Sequence, residues 1–127
     1  MSIRVSFVLS SKEIDVHLVD SVLNLPDSHM RDKFPPKSIA CPEWWIEIKE
    51  ESLSTDNTIW KMAQRLETKK ASIFQLCEQF NITPCLLIRI DSNFAERPEF
   101  VISPRTNQFF SELSTEIVVD LESIYHD

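Results

Sequence analysis

Three histidines, three cysteines and two groups of carboxylates are the side chains of this sequence that could move a proton, attack a carbonyl or hold a metal ion. His17, His29 and His126 lie far apart along the chain, with no i, i+4 pair that would seat a metal on one helix face. Cys41, Cys77 and Cys85 are odd in number and have no C-x-x-C spacing, which argues against a disulfide framework and a zinc knuckle and for reduced thiols. A nucleophile and its base need only meet in space, so a dyad such as Cys41 with His29 stays open, although no local feature supports it. Glu47, Glu50 and Glu51, and Asp120 with Glu122, could serve as general acids or bases. Acidic residues near strand ends more often form a solvated edge that discourages strand addition. The expectation is therefore no catalytic residue, no metal site and no cofactor.

The chain contains no glycine in 127 residues, where average usage of about 7% predicts roughly nine. The phosphate-binding loop, the dinucleotide fingerprint and the nucleophile elbow all need glycine where backbone approaches ligand or turns sharply, so none is present in its usual form. Left-handed turn positions fall to Asn or Asp, or are avoided.

One stretch stands apart. "CPEWWIEIKE", residues 41–50, puts two tryptophans side by side in a segment that alternates like a strand, so Trp44 and Trp45 point to opposite faces. The elements around it follow from periodicity. "IRVSFVLS" alternates as a half-buried strand. A short helix follows, capped by Asp15 or by the Ser10 and Glu13 pair, with Ile14, Leu18, Val22 and Leu25 as its stripe and Pro26 as its stop. Residues 26–42 carry prolines at 26, 35, 36 and 42 and are expected to form one long loop, of a length that is often functional.

After the Trp44–Trp45 strand, residues 54–82 give the strongest helical signal, with Ile59, Met62 or Ala63, Leu66, Ile73, Leu76 or Cys77, and Phe80 on one stripe and a break near residues 68–70. Asn81 ends it in the left-handed conformation. "CLLIRID" is a third strand and "PEFVIS" a fourth. Ser103 and Pro104 start a last helix that buries Phe109 or Phe110 and Leu113. "EIVVDLE" is the fifth strand. The expected order is β-α-β-α-β-β-α-β: one α+β domain over residues 1–127, with a five-stranded, mostly antiparallel sheet and three helices packed on one face.

The more apolar side of each strand gives Ile3, Val5, Phe7, Leu9, Trp44, Ile46, Ile48, Leu86, Ile88, Ile90, Phe100, Ile102, Ile117, Val119 and Leu121 as the core face. Cys77 and Cys85 are expected to be small core residues. The opposite face collects Arg4, Ser6, Val8, Trp45, Glu47, Lys49, Leu87, Arg89, Val101, Val118 and Asp120. An aromatic among arginines and aliphatics on an open face is a plausible protein-contact spot, because interface hot spots favour Trp and Arg. Trp45, Arg4, Glu47, Lys49, Arg89 and Asp120 are therefore the candidate partner-binding residues. The bland alternative is that the loop or a chain end folds over Trp45.

A net charge of −7 disfavours nucleic acid and suits a basic protein partner or simple solubility. No stretch is apolar enough for a membrane span and no signal peptide is visible, so a cytoplasmic protein is expected. The competing expectation is a small enzyme or ligand-binding domain with a pocket between loop 26–42 and the sheet, lined by His29, Cys41 and Trp45. Homodimerisation through a sheet edge or face is a third.

The pattern as a whole resembles a bacterial family, domain of unknown function 4279. The likeness rests on "VSFVLSS", "VLNLP", "WWIEI", the long central helix, and "ISPRTNQFFSELSTEIVVDLESIY", which is similar to the family's Ser-Pro helix and closing strand. The chain departs from it where glycine is expected: Asn24 stands before Leu25 and Pro26, Ser114 follows the last helix, and the usual Lys-Gly has no counterpart near residues 31–33. The resemblance implies an α+β sandwich, no established activity and no catalytic residues. Small acidic members look like proteins encoded beside bacterial toxins, which implies a toxin-neutralising (immunity) or other interaction role.

Overall fold

In the computed structural model, residues 1–92 and 100–123 are described. The chain runs β1 (Ser2–Ser10), α1 (Val16–Leu23), β2 (His29–Arg31), β3 (Glu43–Glu51), α2 (Thr55–Leu66), a 3-10 turn (Glu67–Lys69), α3 (Lys70–Phe80), β4 (Cys85–Ser92), α4 (Pro104–Glu112) and β5 (Glu116–Ser123). The strands form one five-stranded sheet in the order β2-β3-β1-β4-β5. Every neighbouring pair is antiparallel except β4 and β5, which are parallel. This is the α+β class expected from the sequence.

Strand alternation accounts for the core. Ile3, Val5, Phe7 and Leu9 of β1, Trp44 and Ile46 of β3, and Leu86, Ile88 and Ile90 of β4 are all fully buried, and they form one cluster with the buried side chains of the helices. α2 contributes Ile59, Met62, Ala63 and Leu66, α3 contributes Ile73 and Leu76, and α4 contributes Phe110, with Leu113 just after it. α2 and α3 together are the expected long helix. It breaks at Glu67–Lys69, where the apolar stripe skips a turn and a tighter 3-10 segment re-aims the second half.

The helix ends follow the sequence closely. Asp15 caps α1 by accepting the Leu18 N–H at 3.1 Å, and Ser54 caps α2 by accepting the Asn57 N–H at 3.3 Å. At α4, Pro104 occupies the first turn, while the Ser103 N–H donates to Asp56 Oδ1 at 2.8 Å and so ties the start of α4 to the start of α2. Asn24 and Asn81 close α1 and α3 with φ of 47° and 54°. Ser114, between α4 and β5, has φ of 53°. Two of the three places where the family resemblance expects glycine, residues 24 and 114, are thus left-handed.

Asn tolerates that conformation better than Ser does. Replacing Ser114 with glycine is therefore expected to stabilise the chain by about 0.5–1 kcal/mol, read as a rise in thermal midpoint, whereas Ser111→Gly inside α4 lowers it by a similar amount.

Four expectations need correction. Residues 26–42 are not all loop, because His29–Arg31 forms the edge strand β2 beside β3. The described part of "PEFVIS", residues 100–103, is not a strand, and Pro98 and Glu99 lie outside the described residues. In α1 the buried stripe is Val16, Val19 and Leu23, with Leu18 and Val22 exposed, because the helix begins two residues after Ile14. Finally, Phe100, Val119 and Leu121 are exposed and not core, and Cys85 lies on the face opposite the core, opposite Val8 in the register.

Candidate functional site

Register fixes how the outer face of the sheet is laid out. Val8 of β1 stands opposite Trp45 on one side and Cys85 on the other, and Trp45 stands opposite His29 of β2. The next row on this face is Glu47, Ser6, Leu87 and Val118. The row after that is Lys49, Arg4, Arg89 and Asp120. The five charged candidates thus fall in two adjacent rows. Trp45 sits two rows from Lys49 along β3, roughly 13 Å at ordinary strand rise.

The two tryptophans separate as alternation requires. Trp44 is fully buried, and its indole N–H donates to Asp20 Oδ1 of α1 at 3.0 Å. Trp45 is half-buried and stacks on the His29 ring, with centroids 5.2 Å apart and planes 18° from parallel. Part of the 26–42 segment therefore covers one side of Trp45. From the sequence, His29 is expected to line a pocket with Cys41 and Trp45 but is not a partner-binding candidate, because a three-residue strand of exposed side chains carries almost no periodic signal.

The charged rows are arranged so that carboxylates flank the central arginines. Arg4 and Arg89 are direct cross-strand partners, a like-charge pairing that is unfavourable by itself. Glu47 Oε1 lies 3.3 Å from Arg4 Nε, and Asp120 Oδ2 lies 3.4 Å from Arg89 Nε. The buried Ser6 hydroxyl also donates to Glu47 Oε1 at 3.4 Å. With their side chains one third or more exposed, these pairs add at most about 1 kcal/mol each to stability. Lys49 is exposed and makes no ion pair among the described residues. The result is an aromatic stack, an aliphatic strip of Val8, Leu87 and Val118, and a charged band, on strands held from behind by the core.

The other reactive side chains do not converge with it. Cys41 lines a cavity of about 370 Å³ with Lys12 and residues 38–42, and neither His29 nor Trp45 borders it. Cys77 is half-buried in a groove of about 280 Å³ between the end of α3 and the residues just after α4, and burial pushes its thiol up to about 11. Burial, and then the Glu116 carboxylate, also raise the Cys85 thiol above its usual range. His17 pairs with Asp32 at 2.8 Å, and His126 lies outside the described residues. Among the described residues no group of three His, Cys, Asp or Glu side chains is placed to hold a metal ion, and no helix is long and apolar enough to cross a membrane.

Two carboxyls link the frame of the site to pH. Hydrogen bonds from the Ser28 hydroxyl and the Trp44 indole lower Asp20 below the usual aspartate range, and the Lys61 ammonium and Thr58 hydroxyl lower Glu50. A folded-state value below the unfolded one means that the unfolded chain binds more protons in acid. The stabilisation is complete above the ordinary carboxylate range, about pH 4–4.5, and is lost as pH falls through the folded values. The urea midpoint of the wild type is therefore expected to drop below about pH 4. Its advantage over Asp20→Asn should shrink over the same window; an advantage that stays constant down to pH 2 contradicts the assignment.

Comparison with known proteins adds one match. A sequence model of the family described as "Domain of unknown function (DUF4279)" matches residues 1–123. No curated protein and no solved structure matches the chain.

Proposed function

The chain belongs to the DUF4279 family, and from that premise we propose that it is a non-enzymatic, cytoplasmic protein-binding domain that works through the outer face of its sheet. The observation that carries this reading is the half-buried Trp45, stacked on His29 and continued by Val8 and Leu87 toward the paired charges of Arg4, Glu47, Arg89 and Asp120. Rigid aromatics beside arginines are the groups that dominate protein interfaces, and a strand-borne patch loses little entropy when a partner docks. The His29 ring stacks on one side of Trp45 and leaves the indole partly exposed, available to a partner.

The partner we infer is a protein toxin that this chain neutralises, the role the family resemblance implies for small acidic members. A chain of net charge −7 accelerates encounter with a basic partner. The competing reading, an enzyme or ligand-binding domain, needs His29 and Cys41 in one pocket, and it has less support because His29 is engaged with Trp45 while Cys41 lines a separate cavity. The experiment is co-purification of the chain from its own cells and with the product of the neighbouring gene. The proposal expects a stoichiometric protein partner that is lost with Trp45→Ala.

A further inference from the structure

β5 closes the sheet on one side, and among the described residues it pairs with β4 alone. The Glu116 N–H donates to the Pro84 carbonyl at 2.8 Å. In a parallel ladder this turns the backbone groups of residues 116, 118 and 120 toward β4 and those of Ile117, Val119 and Leu121 outward. On the core-facing side, Val119 is 40% and Leu121 61% exposed, although their register partners Ile88 and Ile90 are fully buried. The apolar floor of the sheet thus continues past its last strand.

Proteins usually guard such an edge with lysine, proline or a bulge. β5, "EIVVDLES", has neither lysine nor proline, and its ladder to β4 runs through consecutive pairs from Glu116 to Ser123 without a bulge. Its protection is acidic. Glu116 is exposed, and Asp120 lies on the same outer side with Arg89. Carboxylates repel a second acidic strand and attract a basic one. Two copies of β5 would bring acidic strands together with no basic residue on either, so a second copy is a poor occupant.

We infer that the β5 edge accepts an extended segment of another protein in which apolar residues alternate with Lys or Arg. The apolar positions would cover Val119 and Leu121, and the basic positions would lie on the outer side near Glu116 and Asp120. Main-chain hydrogen bonds to Ile117, Val119 and Leu121 supply the attachment, as in other strand additions. This edge shares Asp120 with the outer-face surface but uses none of the Trp45 and His29 contacts, so Trp45→Ala, which is expected to leave peptide protection of the edge unchanged, separates the two.

The test is amide hydrogen exchange on the isotope-labelled chain, with a blocked synthetic Lys-Val-Lys-Ile-Lys-Val peptide as probe and Glu-Val-Glu-Ile-Glu-Val as control. The basic peptide is expected to slow exchange at Ile117, Val119 and Leu121 by about tenfold or more, and the acidic one to leave it unchanged. Val119→Pro removes an outward donor at a position where an edge strand tolerates proline, and should abolish protection of Ile117 and Leu121 with the fold intact. Should that variant not fold, Glu116→Lys with Asp120→Lys is expected to reverse the preference between the peptides. Equal protection by both peptides, no protection at millimolar peptide, or protection that rises with protein concentration alone would overturn the inference.

Discussion

Replacing Trp44 with alanine is expected to lower the stability of the fold by about 3–5 kcal/mol, the cost of deleting a large buried aromatic whose surroundings relax only in part. Trp44 is the largest fully buried side chain of the core, next to Leu9 and Met30 in the sheet register, with its indole N–H on Asp20. The substitution removes the ring, opens a cavity between sheet and α1, and leaves Asp20 with Ser28 as its remaining hydrogen-bond donor. Against a typical total of about 5–15 kcal/mol, such a loss removes from about a fifth to all of the stability. Trp44→Phe keeps most of the ring and costs less, about 1–3 kcal/mol, chiefly through the lost N–H and the smaller volume. Urea denaturation measures both; a Trp44→Ala variant within about 1 kcal/mol of wild type contradicts the core assignment.

Much of this frame was legible in the sequence because burial imposes a period. β1 alternates over nine residues, and the same rule separates Trp44 from Trp45 without further information. Asn81 before Ile82 and Pro84 marked the end of α3, and the missed turn of the apolar stripe marked the 3-10 break. The failures have physical causes as well. β2 is three exposed residues whose strand character comes only from pairing with β3, so nothing local announces it. α1 offers two apolar stripes, and its true start at Val16 selects the one that the four-residue spacing did not favour. β5 alternates well, yet as the edge strand it leaves Val119 and Leu121 exposed, because alternation reports a face and not whether anything lies beside it.

For the candidate site, alternation placed Arg4, Glu47, Lys49, Arg89 and Asp120 on one face, but not in one neighbourhood. Strand order and register did that, by setting Arg4 against Arg89 and adding a carboxylate on either side. Neither order nor register can be read from a single chain. From the sequence, His29 joins Trp45 only as lining of a pocket with Cys41, and its stacking on the indole could not be read, since that depends on β2 pairing with β3.

Trp45 is where the proposed function is most exposed to test. Its truncation is expected to cost the fold little, about 1 kcal/mol or less, because the side chain is half-buried on the outer face and leaves no sealed cavity. The same truncation is expected to weaken partner binding by about 2–4 kcal/mol, roughly 30-fold to 1000-fold, as for an aromatic at the centre of an interface. Arg89→Ala should cost less, since Asp120 already satisfies part of its charge. The measurement is the affinity of the purified partner for wild type and for Trp45→Ala by titration calorimetry, with the fold of both checked by denaturation. A Kd at least about 30-fold weaker for a variant that stays folded is the predicted result, and an unchanged Kd for a folded Trp45→Ala would contradict the assignment of the outer face as the binding surface.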